Sequence, residues 1–386
     1  MPITHVPFYR LKLTDAEVKR VEDVLRSGWL TTGKITHEFE NEFARYVGAK
    51  HAVAVNSCTA ALHLSLIAAG AGAGDEVITT PYTFVASTET VIQTGARVKF
   101  VDTEKDSFNI DLEQIPRAIG KRTKAIVPVY IAGAPMDLQR IERIRREHKV
   151  AVIHDAAHAV GTSWQGTMIG ATRDFTCFSF YSTKNLTTGE GGMITTNSSK
   201  AADRLRILAL HGMSRGAWRR YTGMGSWKYQ ILELGYKYNL TDIAAALGSE
   251  QLRRFEQIQA ARRQAAAWYS QYLGEIAELI LPGEIAGGVH AWHLYIVKLR
   301  SGGEARRNRV IEDLKQRGVG TSVHFIPLYL HPYYKRHYRY TARDLPNSYN
   351  HYKSAITLPL FADITEDEIK YVADCFKQVL ARKSAR

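Results

Sequence analysis

Hydrophobic positions change period along this chain, and the changes mark its elements. Thr14 and Glu17 form a capping box, and Val18, Val21, Val24 and Leu25 recur at helical spacing until Gly28, which predicts a first helix. Short apolar runs follow at 52–55 (AVAV), 76–80 (EVITT), 97–101 (RVKFV), 124–130 (KAIVPVY), 150–153 (VAVI) and 193–196 (MITT), with helical segments between them. Runs that are apolar on both faces and alternate with helices predict a large, mostly parallel sheet sandwiched by helices, an α/β fold. After about residue 248 the pattern changes. A long Arg- and Gln-rich helix is expected over 252–272, a strand at 292–299, a helix near 304–316 and a strand at 321–325. A second capping box, Thr365 to Glu368, opens a last amphipathic helix that runs to about 382. Two domains are predicted: 1–248, large, with an N-terminal arm, and 249–386, a smaller α+β unit. No repeat or low-complexity linker separates them, so the boundary is expected in a shared helix.

Composition narrows the class. At 386 residues, 45 % hydrophobic and 23 % charged, the chain is long enough for a substantial core and is unlike disordered or collagen-like sequences. Cys58, Cys177 and Cys375 form no CxxC pair, so neither a zinc site nor a disulfide framework is expected, and a reducing, cytoplasmic setting is. No apolar run reaches the roughly 18 residues of a membrane span, so membrane insertion is not expected. Lys and Arg outnumber Asp and Glu by 51 to 38, a net charge of +13 that suits nucleic acid, an anionic membrane surface or a phosphorylated small substrate. The densest basic stretches, Arg143, Arg145 and Arg146, and Arg306, Arg307 and Arg309, read as solvated helix faces. Helix-turn-helix patterning and aromatic-basic interleaving are missing, so nucleic acid is not the expected partner.

Candidate chemistry concentrates in Phe178-Ser-Phe-Tyr-Ser-Thr-Lys184-Asn-Leu-Thr-Thr-Gly-Glu-Gly-Gly-Met193, a strand that runs into a polar turn with one lysine. With no carboxylate nearer in sequence than Glu190, Lys184 reads as a nucleophile or Schiff-base former, and by position alone equally as a surface lysine. Asp155 follows the apolar run VAVI, at the carboxyl end where open α/β sheets build their sites. A carboxylate there needs a cationic partner, such as the protonated ring nitrogen of pyridoxal phosphate, or else it is a helix N-cap. His158 reads as a core histidine or as a donor to that cofactor's phenolic oxygen. Ser57, Cys58 and Thr59 join a strand to a helix, an anion site by geometry, and Ser179 adds a hydroxyl five residues before Lys184.

With these residues in place, the sequence resembles the nucleotide-sugar aminotransferases of the DegT/StrS group, pyridoxal phosphate enzymes of fold type I, the aspartate aminotransferase-like fold. The resemblance spans nearly the whole chain. It includes FSFYSTKNLTTGEGGM and DAAHAVG, together with SGWLTTG (27–33), AVNSCTAALHLSL (54–66), DEVITTPYTFVAS (75–87), GYKYNLTDIAAA (235–246), HAWHLYIVKL (290–299) and TSVHFIPLYLHPYY (321–334).

The resemblance implies that Lys184 carries the cofactor and later shuttles the proton, with Asp155 on the pyridine nitrogen, His158 beside the phenolic oxygen and Phe84 stacked on the ring. It implies a phosphate held by Cys58, Thr59 and Ser179, with Asn239 reaching across from the second subunit of a homodimer. Nucleotide-sugar contacts are implied at Leu30, Thr31, Thr32 and Gly33, near Ser57, and along His324, Phe325, Ile326 and Pro327, with Tyr329 and Tyr334 nearby. L-Glutamate is the implied amino donor, and a UDP-linked 4-keto sugar of lipopolysaccharide, flagellin-glycan or lipid A pathways the implied acceptor. Amination at C3, a dTDP- or GDP-sugar, and a cofactor-binding regulator without turnover are the alternatives. Some relatives carry histidine in place of the lysine and are dehydratases, so Lys184 argues for transamination. The +13 charge then steers an anionic substrate.

Overall fold

The computed structural model describes residues 3–214 and 228–381. Helix α1 (Asp15–Ser27) begins on the reciprocal Thr14–Glu17 capping box and stops at Gly28, whose φ of 73° closes the helix in the left-handed region. Helix α2 (Lys34–Val47) follows, and then the strands of the main sheet: β1 (His51–Val55), β2 (Glu76–Thr79), β3 (Arg97–Phe100), β4 (Thr123–Val127), β5 (Ala151–Asp155), β6 (Phe175–Ser179) and β7 (Gly192–Thr196). Their order is β1-β7-β6-β5-β4-β2-β3. Pairs among β3, β2, β4, β5 and β6 are parallel, whereas β7 runs antiparallel to both β6 and β1. Six strands therefore point one way, and their carboxyl ends share an edge with the start of β7.

Side-chain alternation accounts for the layers. Ala52, Ala54, Ile126, Val152, Phe178 and Met193 face a core built with Phe39 and Phe43 of α2 and Ile141 and Ile144 of α5 (Leu138–His148). Their neighbours Val53, Val55, Val127, Ile153, Cys177 and Ile194 face the opposite core, with Leu62 and Leu66 of α3 (Cys58–Ala68), Val91 of α4 (Ala86–Gln93) and Leu205 and Leu208 of α6 (Ser199–Ala209). Both faces are dry, as expected for strands without polar alternation.

A second, antiparallel sheet of β8 (Leu279–Ile280), β9 (Tyr295–Leu299) and β10 (Ala355–Leu358) packs with α8 (Phe255–Leu273), α9 (Gly303–Gln316) and α10 (Glu366–Ala381). Val6, which the sequence division places with residues 1–248, sits fully buried in this C-terminal core and bridges Val319.

Three expectations are corrected. The helix predicted over 252–272 is two, α7 (Asp242–Arg253) and α8, broken at Arg254, whose Nε donates to the fully buried Glu17 at 2.7 Å. Residues 321–325 form no strand: only Ser322 bridges Thr357, and the chain then leaves the sheet toward the cavity described below. Arg307 is not on a solvated face. It is buried, its Nη1 donating to the carbonyls of Tyr352 (2.7 Å) and Ala355 (3.3 Å) and its guanidinium lying over the Tyr352 ring. Among the described residues, no helix is long and apolar enough to cross a membrane.

Candidate active site

The shared edge of the sheet brings distant residues together. Asp155 ends β5, Ser179 ends β6, and Val55 of β1 and Ser179 both register with Gly192, the first residue of β7. Beyond β1, Ser57 caps α3 by accepting the Ala60 N–H at 3.0 Å, so the first-turn amides of α3, which lack helical acceptors, open on this edge. Beyond β6, the Lys184 N–H donates to Tyr181 at 2.9 Å, and the Thr188 N–H (2.9 Å) and Thr187 hydroxyl (3.1 Å) return to Phe180, folding the polar turn so that Lys184 faces inward. The result is a cavity of about 440 Å³ lined by Ser57, Cys58, Thr59, Phe84, Asp155, His158, Ser179, Lys184, His324 and Phe325, all singled out in the sequence.

Asp155 is 4 % exposed. Its Oδ2 accepts the Ser87 hydroxyl at 2.7 Å and its Oδ1 the Ala157 N–H at 3.2 Å, and among the described residues no ion pair neutralises it. Burial pushes its pKa up, against the Ser87 and Ala157 hydrogen bonds and the charge of Lys184. Burial also lowers the Lys184 amine to about 8, with Cys58 and Asp155 pulling it back up. A free amine is the nucleophile, so attachment of an aldehyde to the cofactor-free protein should accelerate about tenfold between pH 7 and 9 and then level off, as stopped-flow absorbance would show. A lysine of ordinary pKa would keep accelerating to pH 10 and above.

The histidines are fixed as neutral rings of opposite character. The Ala132 N–H donates to His158 Nδ1 at 3.2 Å, so His158 carries its proton on Nε2 and is a donor. Asn185 Nδ2 donates to the Ala291 carbonyl (2.7 Å) and to Gln259 Oε1 (2.9 Å), which turns Asn185 Oδ1 toward His293 Nδ1 at 3.1 Å. His293 therefore holds its proton on Nδ1. Burial depresses the pKa of both rings, with Lys184 nearby adding to the effect. His324 is lowered to about 4 by burial and shares Nδ1 with Thr357 Oγ1 at 3.0 Å.

Not every expected residue lies here. Thr31, Thr32 and Gly33 gather instead at the start of α7, with Leu30 exposed beside them: Asn239 Nδ2 donates to Thr32 Oγ1 at 2.7 Å, the Thr32 hydroxyl donates to the Leu240 carbonyl, the Gly33 N–H donates to Asp242 at 2.7 Å and the Asp242 N–H donates to the Thr31 carbonyl at 3.2 Å. Ile326 is exposed and Pro327 buried, both outside the cavity lining. Tyr329 is 1 % exposed in the core, its hydroxyl reaching the Leu345 carbonyl at 3.4 Å, and Tyr334 is likewise buried; both pack rather than line the cavity. Conversely, Ser87, His293, Tyr9 and Glu190 line the cavity without having been assigned a role. Ser87 and His293 fall inside segments already quoted for the resemblance. Tyr9 comes from the N-terminal arm, where its hydroxyl donates to the Ser182 carbonyl, and nothing in the local pattern announces it.

Gly192 permits the close approach of β7 to α3. A Cβ there would stand 2.5 Å from the Ser57 carbonyl carbon and 2.7 Å from the Cys58 nitrogen, both backbone atoms. Gly192→Ala should displace the first-turn amides, lower the melting temperature and weaken anion binding at α3 by about tenfold or more, read by titrating the cofactor-free protein with pyridoxal phosphate.

One molecule suits the chemistry of these groups together. Pyridoxal phosphate would offer a ring N–H⁺ to Asp155, a phosphate to the amides of α3 and to Ser179, an aldehyde to Lys184, an oxygen to the His158 donor and an apolar ring to Phe84, which is 61 % exposed. Fold and cavity thus define a pyridoxal-phosphate-dependent enzyme of fold type I. The chain belongs to the DegT/DnrJ/EryC1/StrS aminotransferase family, which matches residues 12–377. It is 45 % identical over 366 residues to the spore coat polysaccharide biosynthesis protein SpsC of Bacillus subtilis, covering 94 % of each chain. Among solved structures it is similar to the putative sugar aminotransferase Spr1654 from Streptococcus pneumoniae in its PMP-form, with a TM-score of 0.92 and 32 % identity over 97 % of this chain and 99 % of that one. It is also similar to Helicobacter pylori PseC, an aminotransferase involved in the biosynthesis of pseudoaminic acid, with a TM-score of 0.91 and 26 % identity over 98 % and 99 %. Among the described residues, no three His, Cys, Asp or Glu side chains are grouped to hold a metal ion.

Proposed function

We propose that the protein transfers the amino group of L-glutamate to the C4 keto carbon of a UDP-linked sugar, forming 2-oxoglutarate and a 4-amino sugar nucleotide for a cell-surface polysaccharide, lipid A or another glycan. The observation that carries this reading is the placement of the Lys184 amine in one cavity with Asp155 and the Nε2–H of His158. The names of SpsC and PseC support a glycan pathway, and the +13 charge favours an anionic acceptor. In this proposal residues 1–248 carry the cofactor site and residues 249–386 close over it.

Bound at this site, pyridoxal phosphate supplies an electron sink for the pair released when a Cα–H bond breaks, and it carries the amino group between the two half-reactions. The remaining work falls to the chain. Lys184 Nζ, lowered to about 8, would take a proton from carbon and return one. Asp155 would hold a proton at the ring nitrogen, and the α3 amides with Ser179 would hold the phosphate and so set the ring's position. Phe84 would cover one face of the ring. Cys58 contributes its backbone, because burial raises its thiol pKa and keeps it protonated.

The cluster of Leu30 to Gly33 with Asn239 stands apart from the protomer's own cavity, which favours its service in the site of a second subunit of a homodimer. Lys184→Ala and Asn239→Asp protomers re-associated at random in equal amounts should then recover about a quarter of the wild-type sites, one in each mixed dimer, whereas self-contained sites would recover none. The function itself is tested by incubating the enzyme with L-glutamate and UDP-, dTDP- or GDP-4-keto sugars and resolving the products by mass spectrometry and NMR. A 4-amino UDP-sugar with stoichiometric 2-oxoglutarate is expected. Amination only of a dTDP- or GDP-sugar, or at C3, would replace the acceptor assignment, and no turnover with any glutamate–sugar pair would sink it.

A further inference from the structure

Helix α4 carries more of the cofactor chemistry than its ring contact. Phe84, just before this helix, faces the cavity, and one turn on, Ser87 is turned inward at 1 % exposure. The Ser87 hydroxyl lies 2.7 Å from Asp155 Oδ2 and 2.8 Å from Thr83 Oγ1, and Thr83 is itself 2 % exposed. The direction of these bonds follows from chemistry. An ionised carboxylate only accepts, so Ser87 donates to Asp155, and the lone pair this leaves on Ser87 takes the Thr83 proton. Hydroxyls linked in this way polarise one another, and a bond to a charged acceptor is the stronger kind. The other Asp155 oxygen receives the Ala157 N–H at 3.2 Å. One donor therefore holds each oxygen and fixes the plane of the carboxylate.

We propose that Ser87, backed by Thr83, is a positioning residue that keeps Asp155 ionised and oriented so that the shared proton stays on the pyridine nitrogen of the cofactor. This rests on the assignment of Asp155 to the ring nitrogen. The Ser87 hydrogen bond stabilises the carboxylate anion relative to the neutral acid; without it the carboxylate is more basic and draws the shared proton toward itself. The ring then accepts electrons less well, although neither hydroxyl touches it. Because Phe84 and Ser87 share one segment, a shift of α4 moves the ring face and the ring nitrogen's counter-ion together.

The test loads the holoenzyme with pyridoxal phosphate labelled with ¹⁵N in the ring and reads the nitrogen's chemical shift near neutral pH, alongside cofactor affinity. In Ser87→Ala the resonance should move part of the way toward unprotonated pyridine, with about tenfold weaker cofactor binding, the worth of one hydrogen bond to a charged group. Thr83→Val, which keeps the shape of the side chain, should move it in the same direction by less, and Ser87→Thr should restore the wild-type shift. Asp155→Asn is the reference for complete loss of the counter-ion. A merely structural serine would lower the melting temperature and leave the nitrogen unmoved. If Ser87→Ala and Thr83→Val both keep the wild-type resonance and affinity while Asp155→Asn changes them, the role given to Ser87 is overturned and the site reading stands. If Asp155→Asn also changes nothing, the assignment of Asp155 falls, and this inference with it.

Discussion

Lys184→Ala should lower turnover by about 10⁴-fold or more while leaving the fold and the melting temperature of the cofactor-free protein close to wild type. The expected size reflects the two roles proposed for one residue, the covalent anchor of the cofactor and the base that moves the proton. The fold should tolerate the change because the amine contributes no ion pair among the described residues, and its burial is itself a cost, as the depression to about 8 shows. Single-turnover absorbance with L-glutamate is the decisive measurement. A variant that still converts bound cofactor at more than a hundredth of the wild-type rate would place the catalytic base elsewhere. Added methylamine should recover part of the rate, since a small amine can enter a cavity of about 440 Å³ and take over the proton transfer.

Asp155→Ala should be nearly as damaging, with turnover down about 10³-fold and cofactor lost on dialysis, because a preorganised charge in a dry site is worth far more than one in water. The same substitution toward a neutral isostere should have the opposite effect on stability. Asp155 is a carboxylate at 4 % exposure with two neutral donors and no ion pair among the described residues, and burial outweighs the charge of Lys184, so the cofactor-free protein holds it at a cost. The cofactor-free form of Asp155→Asn should therefore melt at or above the wild-type temperature, even as the loaded enzyme fails. Calorimetry of the two cofactor-free proteins checks this. A marked fall in melting temperature would mean that Asp155 serves the fold first, as the N-cap reading has it.

Much of the fold follows from local rules. The Thr14–Glu17 and Thr365–Glu368 capping boxes locate two helices because their hydrogen bonds span only three residues. Apolar runs such as AVAV mark strands buried on both faces, since in strands of this kind no position faces water. Lys184, Asp155 and the Ser57–Thr59 turn stand out for a related reason, being polar residues that interrupt or follow apolar runs. Local pattern is silent where the cause lies far away. Arg254, where the helix breaks, meets a partner in Glu17, 237 residues upstream, and Arg307 looks like one of several surface arginines until the carbonyls of Tyr352 and Ala355 close on it. Tyr329, quoted within a motif, proves to be a core residue, because burial depends on what packs over it and not on its neighbours in the chain.

By itself the sequence determined the α/β class, the lysine and aspartate proposed to carry the chemistry and the resemblance to aminotransferases, because each is written in residue type and short spacing. Only the tertiary structure decided how those residues act. The antiparallel insertion of β7 puts Gly192 against Ser57 and shapes the anion cradle. Backbone and amide groups from elsewhere set His158 as a donor and place the His293 proton on Nδ1. A hydroxyl 68 residues before Asp155 orients its carboxylate. A proton's position depends on the groups that reach it through space, and chain order does not specify that until the sheet has formed.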